Sequence, residues 1–277
     1  MTPKTRVAAI QMISTDKLDH NLARAEALMR QAVADGCQLA VLPENFAIFG
    51  GSLFLATAQQ EQVDKRVQTW LSQLARELNL VIVAGSFPVN FTGEGEVPNS
   101  RVRACCWVVD EQGTFLSRYD KIHLFDVEVG DAQGRYKESE NIEPGETVVL
   151  TPTRSGIIGN SICYDLRFPE LFQTMRAQGA EIFTVPAAFT AVTGAAHWEV
   201  LLRARAIENQ CFVIGCGQGG RHNATRETYG HSMIIDPWGR ILAKAELGEA
   251  VVMADLDFAE LNAVRQRMPV FQHKKLV

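Results

Sequence analysis

The sequence predicts a mixed-sheet α/β protein whose helices cover its sheets. Three observations carry this: short apolar runs alternate with helical patterns along all 277 residues, strand-like runs outnumber helical ones, and turn signals between some of them mark hairpins. The β-α alternation of the first 85 residues favours parallel pairing, whereas the hairpins add antiparallel strands.

The chain passes from Met1-Thr2-Pro3-Lys4-Thr5-Arg6 directly into the alternating run Val7 to Met12, without an apolar stretch long enough for a signal peptide or a membrane span. A cytoplasmic location is therefore expected. Leu22, Ala25, Met29 and Val33 recur at helical spacing, and so do Val63, Val67, Trp70, Leu71, Leu74 and Leu78. Strands are expected at Leu39 to Leu42, Leu80 to Ala84, Val102 to Val109, Phe115 to Tyr119, Val148 to Thr151, Ile157 to Ile162, Ile182 to Val185 and Phe212 to Ile214. Asp110-Glu111-Gln112-Gly113 is the turn of one hairpin and Asp236-Pro237-Trp238-Gly239 of another.

With 47% apolar and 21% charged residues the chain can bury a sizeable core, and its length admits one large domain or two modest ones. A net charge of −5 lacks the basic excess that nucleic acid or an anionic membrane requires. The six cysteines, at 37, 105, 106, 163, 211 and 216, form no C-x-x-C pair, so neither a disulfide framework nor a zinc site is expected. The histidines at 123, 197, 222 and 231 lack close ligand spacing, and no metal or other cofactor is expected. Gly215-Cys216-Gly217-Gln218-Gly219-Gly220 satisfies G-x-G-x-x-G, but Arg221 to Tyr229 lacks the apolar spacing of the helix that a dinucleotide site needs. Asn90-Phe91-Thr92 and Asn223-Ala224-Thr225 match the glycosylation pattern, which carries no meaning without secretion.

Cys163 falls where the run ending at Ile162 meets Phe168-Pro169-Glu170, a helix start with proline in its first turn. A tight elbow there would lift a nucleophile out of the sheet among backbone N–H groups. The other reading is a buried structural thiol. Two further strand ends carry complementary groups: Glu44 after Leu42-Pro43, and Lys121 after Tyr119-Asp120. Each alone reads as a rim residue, but open α/β sheets collect their sites at one edge.

Leu42-Pro43-Glu44, Tyr119-Asp120-Lys121-Ile122-His123-Leu124-Phe125 and Ile162-Cys163-Tyr164-Asp165-Leu166-Arg167-Phe168-Pro169-Glu170 resemble, in order and spacing, the three motifs of the nitrilase superfamily of carbon-nitrogen hydrolases. The resemblance implies a four-layer α-β-β-α sandwich and a catalytic triad of Glu44, Lys121 and Cys163. It also implies a second glutamate, placed at Glu138, with Glu128 as the other candidate. Because the triad must meet at one site, residues 1–277 are expected to form one domain. The segment Gly194 to Glu208 resembles one shared by the deaminated-glutathione amidases and the ω-amidases; Gly220 to Arg226, Tyr229 to Ser232 and Pro269 to His273 are more similar to the former.

These resemblances imply a small-molecule amide substrate and a cysteine thioester intermediate. Glu44 would serve as general base, and Lys121 with the Tyr164 N–H as oxyanion donors. Glu138 would orient Lys121 or the substrate. Cleavage of deaminated glutathione would release 2-oxoglutarate and cysteinylglycine. Such a ligand carries a carboxylate at each end, making Arg167, Arg221, His222 and Arg226 candidate anchors, each also readable as solvated surface charge. The alternatives are an ω-amidase acting on 2-oxoglutaramate and a non-catalytic binding or scaffold protein on the same fold. Family resemblance, with the apolar helix from Trp198 onward, suggests a homodimer.

Overall fold

The computed structural model describes residues 4–90 and 101–275; Met1 to Pro3, and Phe91 and Thr92 of the first glycosylation pattern, lie outside them. The first part runs β1 (Thr5–Gln11), α1 (Leu18–Ala34), β2 (Leu39–Val41), α2 (Phe54–Asp64), α3 (Arg66–Leu78), β3 (Val81–Val83), β4 (Phe87–Val89), β5 (Arg103–Val109) and β6 (Phe115–Asp120). A small hairpin of β7 (Asp126–Glu128) and β8 (Arg135–Lys137) follows. The second part runs β9 (Leu150–Thr153), β10 (Gly156–Asn160), α4 (Pro169–Ala177), β11 (Ile182–Ala187), α5 (Ala191–Asn209), β12 (Phe212–Gly217), β13 (Met233–Ile235), β14 (Ile241–Lys244), β15 (Ala250–Leu256) and α6 (Phe258–Arg267).

Two mixed sheets form the centre. The first has the order β15-β1-β2-β3-β5-β4, with β6 on the other edge of β5, and the second β14-β13-β12-β11-β10-β9. As the β-α alternation predicts, β1, β2 and β3 pair in parallel. Both turn signals lie in antiparallel hairpins, β5–β6 and β13–β14.

Strand alternation builds the layers. Val7, Ala9, Leu39, Val41, Val81 and Val83 join the core shared with the second sheet, whereas Ala8, Ile10, Ala40, Leu42, Ile82 and Ala84 pack under α1 and α3. The Cys216 Sγ of β12 lies 3.2 Å from the Ile10 carbonyl and 3.0 Å from that of Val41, where the two sheets pack face to face. With α4 and α5 against the outer face of the second sheet, the result is the α-β-β-α sandwich.

The structure also departs from the sequence reading. Val63 does not continue the helix of Val67: Lys65 adopts φ 51° between α2 and α3, and Val63 is 82% exposed. The break is held by the buried Glu61 carboxylate, which accepts the first-turn N–H groups of Val67 and Gln68. The alternating appearance of β1 is not amphipathic, since Val7 to Ile10 are all fully buried. The run Val148 to Thr151 begins its strand only at Leu150. Trp198 is not available to a partner: it is buried and donates its indole N–H to the His231 carbonyl, whereas Val200 and Ile207 face solvent. No helix lies between Gly217 and β13; a Cβ at that glycine would meet the Gly230 carbonyl oxygen at 2.9 Å, so it serves close backbone packing.

Candidate active site

The site is assembled from four chain segments that are distant in sequence. Glu44 follows β2, whose exit is crowded: Gly85, at φ 51°, passes so close to Pro43 that a Cβ there would strike its carbonyl oxygen. The Glu44 backbone is held from the other side by Gln218, which donates to its carbonyl at 3.0 Å. Lys121 follows β6, and its N–H bonds the Ala104 carbonyl. Glu138 follows β8 directly. Cys163 opens a short 3-10 turn, residues 163–167, between β10 and α4, and takes φ 50°. A left-handed non-glycine residue at such an elbow is strained backbone of the kind found at functional sites.

Lys121 is the hub. Its Nζ lies 2.7 Å from Glu44 Oε1 and 2.8 Å from both carboxylate oxygens of Glu138, and the side chain is 1% exposed. Burial works against the ammonium, but Glu138 and Glu44 outweigh it and hold its pKa well above the ordinary lysine value. Glu138 Oε2 also accepts the Phe125 N–H at 2.8 Å. Burial raises its pKa, with a further push from Glu44 and an opposing pull from Lys121.

The Cys163 thiol is also raised well above its ordinary range, by burial first and by the Glu44 charge second, against the pull of Lys121. The resting thiol is therefore protonated. The positive charge of Lys121 is committed to two carboxylates and leaves no standing thiolate. Tyr164, second in the turn, has an N–H with no carbonyl partner within it, as first-turn amides do, and its side chain lines the same cavity.

That cavity, about 540 Å³, is lined by Glu44, Lys121, Glu138, Cys163, Tyr164 and Arg226, among others. The structure thus brings Glu44, Lys121, Glu138 and Cys163 together with Tyr164. Glu128 is exposed on β7 and takes no part.

Three candidate anchors fall elsewhere. Arg221 is exposed and does not line the cavity. Arg167 lies behind its wall, with the guanidinium over the Tyr164 and Phe189 rings and 3.2 Å from His197 Nδ1. His222 has both ring nitrogens engaged, Nδ1 with the Ser14 carbonyl and Nε2 with Thr228 Oγ1, and stacks flat on Phe49 at 3.8 Å. Burial lowers its pKa to about 4, so it is uncharged and cannot pair with a carboxylate at neutral pH. Arg226 remains: Nη1 donates to Tyr136 Oη at 3.0 Å and Nη2 to the Ala188 carbonyl at 2.6 Å, inside the cavity.

The state of His222 has a measurable consequence. A histidine depressed from 6.5 to about 4 leaves its full stabilising share in place above pH 6.5, and that share is lost as pH falls through 6.5 to about 4. The loss reaches roughly 3 kcal/mol. Urea unfolding at pH 7.5, 5.5 and 4 should therefore show a steeper acid loss for the wild type than for His222→Gln; parallel pH profiles would refute it.

Two supporting residues escaped the sequence reading. Asp165, fully buried, accepts from Tyr119 Oη at 2.7 Å, Ile162 N at 2.8 Å and His123 N at 3.0 Å, and its Oδ1 lies 2.7 Å from His123 Nδ1. It ties the segment carrying Lys121 to the turn carrying Cys163. Arg205, reaching in from α5, donates twice to the Leu166 carbonyl of the same turn. Asp165 had a signal, a carboxylate set between apolar residues beside the elbow; Arg205 had none, because its partner lies 39 residues away.

Comparison with known proteins agrees with this architecture. The carbon-nitrogen hydrolase family profile matches residues 6–266. The chain belongs to the carbon-nitrogen hydrolase family, and it is an amide-cleaving member. Among similar proteins, deaminated glutathione amidase of Yersinia enterocolitica is 42% identical over 98% of this chain and 93% of its own. The enzyme of the same name from Mus musculus is 41% identical over 97% and 83%. Of solved structures, the C. elegans NitFhit protein superposes with a TM-score of 0.89 at 34% identity, covering 99% of this chain and 66% of that longer one. Saccharomyces cerevisiae Nit3, a member of branch 10 of the nitrilase superfamily, gives 0.85 at 30%, covering 96% and 94%.

Proposed function

We propose that this protein is a deaminated glutathione amidase that works through a Cys163 thioester. The observation that carries the chemistry is the buried set of Lys121 on Glu44 and Glu138 in the cavity that Cys163 lines. The substrate follows from the relatives of that name and from the cavity's charge. Lys121, Arg135, Lys137 and Arg226 line it against Glu44, Glu138 and Glu140, a local basic excess in a chain of net charge −5.

Glu44 takes the thiol proton as Cys163 Sγ attacks the amide carbonyl. Transfer accompanies attack, because a standing thiolate is disfavoured. Even full ionisation of an ordinary thiol, about 3% thiolate at pH 7, would gain only ~30-fold, whereas enzyme accelerations start near ~10⁶. Positioning and oxyanion stabilisation carry the remainder. The oxyanion is received by the Lys121 ammonium and the Tyr164 N–H. Glu44 then protonates the departing amine, the carbon-nitrogen bond breaks, and the thioester forms. Glu44 next activates a water, which cleaves the thioester to release 2-oxoglutarate and restore the thiol. Glu138 orients Lys121, consistent with its bidentate contact, and Arg226 holds the carboxylate of the 2-oxoglutaryl group.

Residues 1–277 act in this reading as one catalytic domain, without a cofactor or a nucleic-acid or membrane partner, in the cytoplasm. No helix among the described residues is long and apolar enough to cross a membrane. A homodimer is supported by exposed Val200, Ile207 and Trp238, apolar groups that association would cover.

Comparing kcat/KM for deaminated glutathione and for 2-oxoglutaramate on the purified enzyme tests the substrate. Deaminated glutathione is expected to be preferred. Preference for 2-oxoglutaramate would make the protein an ω-amidase with the same machinery, and absence of any amide turnover would favour a binding role.

A further inference from the structure

Deaminated glutathione and 2-oxoglutaramate share their acyl group and differ only in what departs, a cysteinylglycine dipeptide or ammonia. Residues that tell them apart must therefore lie on the leaving-group side of the scissile bond. Arg226 reads the shared part. The β7–β8 hairpin brings a second arginine, Arg135, to the cavity.

We propose that Arg135 binds the terminal carboxylate of a two-residue leaving group, with β8 acting as the ruler that sets its distance from the reacting carbonyl. This rests on the amidase reading above.

Four features support it. Arg135 lines the cavity and its guanidinium, unlike its backbone N–H, which donates to the Gln133 carbonyl, has no hydrogen-bond or ion-pair partner among the described residues; Glu128, across the strand from it, makes no ion pair with it. The neighbouring cation, Lys137, is already matched by Glu140 at 3.6 Å and Lys121 by Glu44 and Glu138, whereas Arg226, bonded only to the neutral Tyr136 hydroxyl and Ala188 carbonyl, is assigned to the acyl carboxylate. Arg135 is thus the uncommitted cation of the cavity.

The third feature is distance. Glu138 sits on Lys121, beside the position assigned to the oxyanion, and Arg135 lies three residues back along the same segment. At ~3.3 Å per residue that is about 10 Å. An extended dipeptide spans roughly 7 Å, and the Arg135 side chain, which lines the cavity, is long enough to cover the difference. Ammonia leaves nothing at that end.

The fourth is rigidity. Between Glu138 and Arg135, the Tyr136 hydroxyl donates to Asp131 Oδ2 at 2.7 Å while accepting from Arg226, and Asp131 Oδ1 accepts the N–H groups of Gln133 and Gly134. The hairpin that carries Arg135 is therefore latched to the residue that holds the acyl group, so both ends of the ligand are measured from one frame.

The test uses two substrates, 2-oxoglutaryl-cysteinylglycine and its C-terminal glycinamide, with wild type, Arg135→Ala and Arg135→Lys. Wild type should lose about tenfold in kcat/KM on the glycinamide, mostly through KM, as expected for one charge-assisted contact at a partly open site. Arg135→Ala should lose a similar factor on the free acid and no further factor on the glycinamide, because the two changes remove the same contact. Arg135→Lys should recover part of the loss on the free acid alone. Equal wild-type rates on the two substrates, or a full preference for the free acid retained in Arg135→Ala, would overturn the proposal and leave the amidase reading intact. If wild type cleaves neither 2-oxoglutaryl amide, the substrate reading itself fails and takes this inference with it.

Discussion

Cys163→Ala is expected to lower kcat by about 10⁴-fold or more on any amide while changing stability by no more than about 1 kcal/mol. The loss is large because the thioester cannot form and the remaining donors have no nucleophile to assist. The fold should survive, since Ala replaces a small side chain at a site already bordered by a cavity. Stopped assays with melting curves on the same preparation would check both halves. A variant with more than about 1% of wild-type activity would point to another nucleophile. The same reasoning orders the thiols toward limiting iodoacetamide. All six are free and buried, but Cys163 alone lines the cavity and has a base beside it. Access and the neighbouring base set this order rather than ionisation, since burial raises the pKa of Cys163 as it does those of Cys37, Cys106 and Cys211. Activity should fall in proportion to modification of Cys163.

Lys121→Ala combines a catalytic loss with a structural one. In the proposed mechanism Lys121 is an oxyanion donor, whose loss alone costs about 10²–10³ in rate, and it also neutralises two buried carboxylates. Without it Glu44 and Glu138 face each other with no cation between them, and breaking a buried ion pair from one side typically costs about 3–5 kcal/mol. The sign of the pH dependence follows from Glu138, already raised in the wild type. When a carboxyl pKa is raised by folding, the folded state binds protons more readily than the unfolded chain and gains stability as pH falls. The deficit of Lys121→Ala should therefore be largest near pH 8 and narrow toward pH 5, as a proton takes the place of the ammonium. Urea unfolding at those two pH values would measure it. A deficit that widens on acidification, or a variant as stable as wild type at pH 8, would refute the account.

Much of the architecture was legible along the chain because strand and helix periods are local. The β-α alternation of the first three strands, the two hairpin turns and the elbow at Cys163 each follow from residues a few positions apart. Two helices were not legible for a physical reason. α2 buries only Phe54, Ala58 and Glu61, and α6 only Leu261 and Val264, too few apolar positions to mark a face. β15 also escaped, since it pairs antiparallel to β1 from Thr5↔Leu256 to Gln11↔Ala250, across nearly the whole chain.

The site divides along the same line. Glu44, Lys121 and Cys163 announce themselves by standing at the ends of buried strands, and their chemistry is a property of residue type. Charge state and partnership are not. Three basic residues, Arg167, Arg221 and His222, looked equivalent to Arg226 as anchors, yet Arg221 faces solvent and Arg167 lies behind an aromatic wall. His222 is pushed neutral by burial, and Arg226 alone of the four lines the cavity. Likewise, Lys121 as a lone cation would favour a thiolate, but held between two carboxylates it leaves the thiol protonated. Local pattern names elements and candidate groups because it depends on neighbours in sequence. Desolvation and Coulomb interaction depend on neighbours in space, and these enter only when strands more than a hundred residues apart close around one cavity.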